Sequence, residues 1–245
     1  MLKGLEHSLT EKLQMERLKR ELEMEVLTVQ VNPHFLYNTL ETIVWKANAA
    51  GRPDIGRIAT SLGKMYRLSI AGDRFVPLQQ ELDHLQAYAA IQSSRYGDKV
   101  ALWVDMQGVE PSQCWVLKLI LQPIVENCYL YAGENLDRQL KIRVWIRLVN
   151  NELHLRITDN GIGMSRKQLE KVRSQMLSGK KEAPKPGHRR STGIGLHNIY
   201  ARLKLYQPKS SMRILSKEGW GSSILLTMPT EPPKSSGKPL PDSVS

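Results

Sequence analysis

The chain has 245 residues, 35 Lys and Arg against 24 Asp and Glu, a formal net charge of +11 and two cysteines. This length allows one large or two modest domains. Cys114 and Cys128 lie in no CxxC or Cys/His cluster, which argues against a disulfide scaffold or a structural zinc site. No apolar run approaches the ~18 residues of a membrane span, and residues 1–12 lack the apolar core of a signal peptide. We therefore expect a cytoplasmic chain with no membrane span.

The N-terminal part is predicted to be helical throughout. Leucines and valines spaced three to five residues apart over residues 2–31 form a coiled-coil-like stripe. The helix is expected to continue through Pro33 to about Asn48, and the sequence Gly51-Arg52-Pro53 then breaks it. Two more helices are predicted over residues 54–71 and 78–95.

The pattern changes after Gly97. Alternating apolar residues at 100–104 predict a strand, and the apolar residues 114–131 predict a helix. Two alternating runs at 142–149 and 153–157, joined by two asparagines, predict a β-hairpin. The other predicted elements are helices at 166–177 and 194–206, a basic loop at 178–192, a hairpin at 211–217 and 221–228, and a disordered tail from 230. Irregular alternation of helices and strands favours a two-layer α+β sandwich over a parallel doubly wound sheet.

Two glycine pairs stand beside predicted regular elements, in Asp159-Asn160-Gly161-Ile162-Gly163-Met164 and in Thr192-Gly193-Ile194-Gly195-Leu196. Neither continues into the dinucleotide motif GxGxxG, and the phosphate-loop motif GxxxxGK[ST] is absent. Each pair alone is equally consistent with an ordinary turn. An ionised Asp159 at a strand end is nevertheless a suitable acceptor for an adenine amino group. The second pair opens a helix, whose N-terminal amides bind phosphate.

A polar pair, Glu126-Asn127, interrupts an otherwise apolar predicted helix. It is either a satisfied polar pair on a half-exposed helix or part of a metal site. The Asn127 amide oxygen suits Mg²⁺, which needs few protein ligands when phosphates and water complete its shell.

These three segments, in this order, resemble the N, G1 and G2 boxes of the GHKL ATP-binding fold. That superfamily includes histidine kinases, Hsp90-type chaperones, type II topoisomerases and mismatch-repair ATPases. The resemblance implies an ATP molecule between sheet and helices, Mg²⁺ on Asn127, and a lid at residues 178–192. It implies nucleotide contacts from Asn127, Asp159, Gly161, Gly163, Met164, Thr192, Gly193, Gly195 and Leu196.

Residues 30–40, QVNPHFLYNTL, closely resemble the phosphoacceptor motif of the LytS/YesM-like sensor histidine kinases, and the resemblance covers roughly residues 25–228. It implies autophosphorylation with Mg-ATP, with His34, Asn38 and Glu126 as catalytic residues. It also implies a homodimer, phosphoryl transfer to an Asp of a response-regulator receiver domain, and attachment of the full-length protein to a membrane sensor. The segments 78–82 and 95–98 resemble linking segments of the same family.

The phosphoacceptor motif is also physically reasonable. Pro33 is expected to bend the helix just before His34. His34 should point away from the apolar stripe that includes Leu36 and Leu40, and an uncharged histidine is a competent nucleophile. Asn38 lies one turn further on the same face and is predicted to orient a water for phosphatase activity, with Glu41 one turn beyond.

The predicted domains are a coiled-coil signalling helix at 1–24, a dimerisation and phosphoacceptor domain at 25–97, a GHKL domain at 98–229 and a disordered tail at 230–245. Where the family usually has a Lys or Arg, then His and Gly, after the Asn box, this chain has residues 128–133 without a basic residue. A dimeric ATP-binding scaffold with little turnover therefore stays open. A nucleic-acid-associated GHKL ATPase would fit the charge but not QVNPHFLYN, and we expect no specific nucleic-acid binding. A plain helical interaction module leaves the glycine motifs unexplained.

Overall fold

The computed structural model describes residues 33–70, 73–132, 138–178 and 192–231. It divides into two compact units at the boundary between Ile70 and Ala71. Three predicted segments lie outside the described residues: the coiled coil over 2–31, nearly all of the loop at 178–192, and nearly all of the tail from 230. No helix of the described ranges is long and apolar enough to cross a membrane.

The first unit contains a pair of packed helices, α1 (Pro33–Ala49) and α2 (Pro53–Ile70). Gly51, at φ 67°, makes the turn between them, as the sequence predicts. Of the predicted apolar stripe, Leu40 is buried and Leu36 is half-buried, whereas His34 is exposed. His34, the predicted phosphoacceptor, therefore lies off the packed face of its helix.

The second unit is built on a five-stranded sheet with the order β2-β4-β5-β7-β6. The strands are β2 (Val100–Gln107), β4 (Leu140–Val149), β5 (Glu152–Asp159), β6 (Ser211–Lys217) and β7 (Gly221–Pro229). Only the β2–β4 pair is parallel, and the other neighbours are antiparallel. A small second sheet pairs β1 (Phe75–Pro77) with β3 (Trp115–Leu117).

Both predicted hairpins are confirmed. Asn150 and Asn151 have φ values of 50° and 62°, the left-handed conformations that a two-residue hairpin turn requires. Alternate residues of β4 and β5 are buried, including Ile142, Val144 and Ile157. Each such side chain contributes about 1.5–3 kcal/mol to stability on burial, so this alternation fixes which face of the sheet meets the helices.

The described part of the second unit also contains four α-helices: α3 (Leu78–Tyr96), α4 (Gln122–Ala132), α5 (Arg166–Ser178) and α6 (Thr192–Tyr206). Contacts join α4 to β4 and β5, α5 to β6, and α3 and α6 to α4. This arrangement is the α+β sandwich that the sequence predicts.

The predicted helix over 114–131 is wrong in its first part. Trp115–Leu117 form strand β3, a turn follows, and the helix begins only at Gln122. Val116 and Leu117 are fully buried, and a short buried strand has the same unbroken apolar pattern as a buried helix.

The division between the units also differs from the predicted domain boundary at 97/98. Helix α3 belongs to the second unit, because Leu78, Leu82, Leu85 and Tyr88 are buried there. Its neighbours are α4 and β2.

The other face of the sheet carries stacked cations and indole rings. The Arg143 guanidinium lies 5.8 Å from the ring centre of Trp103 and 5.3 Å from that of Trp145. Arg156 lies 5.4 Å from the Trp145 ring. Asp105 is 3.9 Å from Arg143. Trp103, Arg143 and Arg156 are exposed and Trp145 is half-buried, so this surface is predominantly positive.

Backbone contact joins the end of β5 to the β6–β7 turn. A Cβ atom on Gly163 would lie 2.0 Å from the Lys217 carbonyl oxygen, and one on Gly221 would lie 2.0 Å from the Asp159 carbonyl oxygen. Both glycines also have positive φ, at 66° and 98°. No side chain is tolerated at either position without movement of the backbone.

We expect Gly221→Ala to destabilise the protein by at least about 2 kcal/mol, because it adds a clash to an unfavourable φ. Urea unfolding monitored by circular dichroism measures this change.

The control is Gly219→Ala in the same turn. Gly219 has φ 77° but nothing within 4 Å of its Cβ position, so only the backbone strain, ~1–2 kcal/mol, is expected. Equal losses in the two variants would show that the contact with Asp159 contributes nothing.

Candidate functional site

The end of β5 presents a buried carboxylate. Asp159 is 9% exposed, and its Oδ1 accepts hydrogen bonds from the amides of Gly161 at 2.8 Å and Ser222 at 3.3 Å. Burial raises the pKa of Asp159 above its ordinary value, although both amides and the Cys128 thiol favour the charged form. An acceptor buried in this way is suited to a ligand that brings its own donor.

The loop after Asp159 is held on both sides. Asn160 accepts a hydrogen bond from the Lys141 amide at 2.7 Å and donates one to the Gln139 carbonyl at 3.0 Å. The Met164 amide donates to Ser216 Oγ at 2.9 Å. The predicted residues Gly161, Gly163 and Met164 therefore form a rigid border beside the carboxylate.

Helix α4 presents Asn127. Its Nδ2 atom is buried and has no hydrogen-bond partner among the described residues. A Cβ atom on Gly195 of α6 would lie 4.0 Å from that nitrogen, so the missing side chain leaves space beside the amide. An unsatisfied buried amide costs about 1–3 kcal/mol, and a bound ligand would recover this.

Glu126 and Cys128 flank Asn127 and face different partners. Glu126 Oε1 accepts a hydrogen bond from Gln122 Nε2 at 2.7 Å within α4. Cys128 is buried, and burial raises the pKa of its thiol well above the ordinary value, with the nearby Asp159 adding to the effect. Cys128 therefore links the Asn127 helix to the Asp159 carboxylate.

Helix α6 brings the second glycine motif to the same region. Gly195 faces Asn127, Leu196 is buried, and His197 Nδ1 lies 2.9 Å from the Met176 carbonyl oxygen of α5. Thr192 and Gly193 begin the described part of the helix, but their side chains are outside the description. Contacts of these two residues with a nucleotide thus stay a prediction.

The donor set fits a magnesium ion held together with a nucleotide. No group of three or more His, Cys, Asp or Glu side chains suited to a metal occurs within the described ranges. The amide oxygen of Asn127 and the carboxylate of the neighbouring Glu126 are of the oxygen type that Mg²⁺ prefers, while the unsatisfied Nδ2 atom of Asn127 suits a phosphate oxygen. Such a site depends on phosphate oxygens for the rest of its coordination.

The predicted phosphoacceptor belongs to the first unit. On α1, Asn38 Nδ2 lies 3.3 Å from His34 Nδ1, and both residues are exposed. Glu41 is also exposed. The structure thus brings His34 and Asn38 together as the helical spacing predicts.

Sequence reasoning did not assign a role to Glu81, although it noted the segment 78–82. Glu81 is 3% exposed and accepts hydrogen bonds from the amides of Leu119, Ile120 and Leu121 at 2.5, 2.9 and 3.0 Å. A charged residue between Leu78 and Leu82 on an apolar helix face is the signal that was available.

Two family models match the chain. "Histidine kinase" matches residues 22–100, and "Histidine kinase-, DNA gyrase B-, and HSP90-like ATPase" matches residues 116–232. The first range spans the division between the structural units. The second contains both glycine motifs and Asn127.

Curated relatives agree with these matches. The chain is 32% identical to the sensor histidine kinase YesM of Bacillus subtilis, over 94% of this chain and 37% of that protein. It is 30% identical to an uncharacterised sensor-like histidine kinase of Staphylococcus epidermidis, over 88% of this chain and 40% of that protein. It is 28% identical to the sensor protein LytS of Bacillus anthracis, over 87% of this chain and 35% of that protein. The chain therefore spans less than half the length of these relatives.

Among solved structures, the histidine kinase domain of a blue-light activated histidine kinase from Erythrobacter litoralis superposes with a TM-score of 0.45 at 13% identity, covering 86% of this chain and 93% of that chain. This structural similarity is too low to assign a family. The family is assigned from the two family models and from the relatives that align along most of the chain. The chain belongs to the sensor histidine kinase family, with the ATPase domain of that family in its C-terminal half.

Proposed function

We propose that this chain binds Mg-ATP beside Asn127 and Asp159, phosphorylates its own His34, and passes the phosphoryl group to an aspartate of a response-regulator receiver domain. The observation that carries the proposal is the unsatisfied amide of Asn127, buried beside the space at Gly195. Native proteins rarely leave a buried polar group without a partner, and a nucleotide phosphate oxygen beside Gly195 would supply the acceptor that the Asn127 Nδ2 atom lacks among the described residues.

The purine end of the nucleotide is assigned to Asp159. Its carboxylate accepts a hydrogen bond from the adenine amino group while the Gly161 and Ser222 amides hold it in place. The phosphates lie towards the N-terminus of α6, where free helix amides favour anions. Asn127, between these two regions, would hold the phosphate oxygens and the magnesium ion.

When bound, the magnesium ion neutralises charge on the phosphates during transfer. Asn127 is its proposed protein ligand, with Glu126 beside it to orient a water or ligand. The chain's own contribution is to hold the γ-phosphate and to exclude water around it.

His34 acts as the nucleophile through whichever ring nitrogen carries no proton. Its nitrogen forms a bond to the γ-phosphorus as the bond to ADP breaks. If Asn38 Nδ2 donates to Nδ1, the proton lies on Nε2 and Nδ1 is blocked by the hydrogen bond. If the amide is rotated, Oδ1 accepts the proton of Nδ1 and Nε2 is the nitrogen that attacks. We propose the second arrangement for phosphoryl transfer.

Dimerisation is proposed from the first unit. Apolar side chains remain exposed on α1 and α2, including Phe35 at 68% and Trp45 at 71%. Two helices cannot cover such surface alone, and pairing with the helices of a second copy does so in a four-helix bundle. The complete protein is proposed to carry a membrane sensor in the part of its length that this chain does not span.

A second candidate is a dimeric, ATP-binding scaffold with little turnover. It is favoured by the segment after Asn127, where Cys128 and Tyr129 are buried and Leu130 is exposed. No cation in this segment is available to hold the phosphates.

We predict that the chain incubated with γ-labelled ATP and magnesium acquires acid-labile label. His34→Ala should abolish the label because the nucleophile is gone, and Asn127→Ala should reduce it at least tenfold because phosphate and metal contacts are lost. Labelling is measured by gel autoradiography before and after acid treatment.

The matched control is His154→Ala, an exposed histidine on the open sheet face, which should leave labelling unchanged. Absence of label on the parent chain, despite measurable ATP binding, would favour the scaffold.

We predict that ATP affinity falls on acidification at a higher pH than an ordinary Asp would give. Burial raises the pKa of Asp159, so its acceptor is lost as the pH falls through that raised value. Asp159→Asn should weaken ATP binding ~10- to 100-fold at neutral pH, since it loses a charged hydrogen-bond acceptor. Isothermal titration calorimetry measures both effects.

The same variant should not lose stability at neutral pH. The folded chain holds the Asp159 proton more tightly than the unfolded chain, so stability falls as the pH rises from the ordinary to the raised pKa. Removing the buried charge avoids that loss. Asp105→Asn, at an exposed ion pair, is the control for affinity. Equal affinity of the Asp159→Asn variant and the parent chain would refute the purine assignment.

We predict that Asn38→Ala slows dephosphorylation of a receiver domain about tenfold or more, because the water that attacks the phosphoaspartate loses its orienting amide. The measurement uses a receiver domain that accepts label from the parent chain, and follows the loss of its label with time. The control is Thr39→Ala, an exposed neighbour on the same helix whose hydroxyl donates to the Phe35 carbonyl. Normal dephosphorylation by the Asn38 variant would remove this role.

A further inference from the structure

We infer that Glu81 and Arg202 are positioning residues for nucleotide binding, because together they clamp the turn at residues 118–121 that leads into the Asn127 helix. This inference rests on the proposed function, since it concerns the same nucleotide site. Neither side chain contacts the proposed ligand.

Glu81 fixes the start of α4. Its Oε1 accepts a hydrogen bond from the Leu119 amide, and its Oε2 accepts from Ile120 and Leu121. The Leu121 carbonyl in turn accepts from the Ile124 and Val125 amides. The Glu81 carboxylate thus lies at the N-terminus of α4, where amides lack helical partners and a negative charge is favourable.

Arg202 attaches the same turn to α6. Its Nη2 donates to the Lys118 carbonyl and its Nη1 to the Leu119 carbonyl at 3.4 Å. The amides of the turn therefore bond to Glu81 of α3, and the carbonyls of the turn bond to Arg202 of α6. Since α6 also carries Gly195 beside Asn127, the clamp sets the spacing between the two helices that form the phosphate region.

The conformation of the turn shows that it is constrained. Leu119 has φ 56°, a left-handed conformation that costs a non-glycine residue about 1 kcal/mol or more. It persists because the surrounding groups determine it, and Glu81 and Arg202 supply those groups.

The two charges are balanced within the second unit. Burial raises the pKa of Glu81, and the three amides and Arg202 oppose that effect. Burial lowers the pKa of Arg202, and Glu81 opposes that effect. Removing either charge leaves the other buried with less compensation.

The consequence for the site follows from the rigidity of a helix. Asn127 lies within the first two turns of α4, so any shift at the turn moves its amide by a similar distance. Displacements near 1 Å are enough to weaken a binding constellation substantially.

The test measures Mg-ATP affinity by calorimetry in Glu81→Gln and Arg202→Lys. Glutamine has one acceptor oxygen, so at least one amide of the turn loses its partner. Lysine keeps the charge but loses the forked geometry. We expect about tenfold weaker binding in each, at temperatures where urea unfolding shows the variant to be folded. Glu110→Gln, at an exposed carboxylate bonded to Ser112, should bind as the parent does.

A double-mutant cycle with Asn127→Ala separates positioning from a general structural role. If Glu81 acts through Asn127, Glu81→Gln should add less than a twofold loss in the Asn127→Ala background. Additive losses would overturn this route. If Glu81→Gln does not fold, the same cycle with Arg202→Lys decides.

Failure of the clamp and failure of the proposed function are distinguishable. Parental binding of Mg-ATP together with unchanged affinity in a folded Glu81 or Arg202 variant overturns only the positioning role. Absence of nucleotide binding by the parent chain overturns both.

Discussion

The position of the Asp159 carboxylate depends on a close backbone contact between the end of β5 and the turn that joins β6 to β7. The carbonyl oxygen of Asp159 lies 2.0 Å from the position that a Cβ atom of Gly221 would take, and the carbonyl oxygen of Lys217 lies 2.0 Å from the corresponding position on Gly163. Because both contacts exclude side chains, the end of β5 and the turn between β6 and β7 pack directly against each other. This packing holds the buried carboxylate of Asp159, so the carboxylate is already oriented before a ligand binds.

Local chemistry predicts the parts of the fold that are decided locally. The hairpin turn at Asn150 and Asn151 needs left-handed residues, and asparagine tolerates that conformation. The strand Trp115–Leu117 was missed because its partner, Phe75–Pro77, is far away in the sequence. A continuous run of apolar residues indicates that a segment is buried, but it does not distinguish a buried strand from a buried helix.

The site shows the same division. Asp159, Asn127 and both glycine motifs could be selected from the sequence, since each has a residue type tied to a chemical task and stands beside a regular element. Glu81 could not be assigned, because its three partners at 119–121 become neighbours only after folding. The unsatisfied amide of Asn127 is likewise a property of packing and has no counterpart in the sequence.

The stacked guanidinium and indole groups on the open sheet face have a practical consequence for handling the protein. Arg143 stacks on the rings of Trp103 and Trp145, and Arg156 stacks on Trp145, so the indole rings hold both charges at the surface. The whole chain carries a formal net charge of +11, so polyanions are attracted to it, and this face offers them ordered cations. Retention on heparin, or carry-over of cellular nucleic acid during purification, would report that surface and its salt dependence, and would not identify a nucleic-acid ligand.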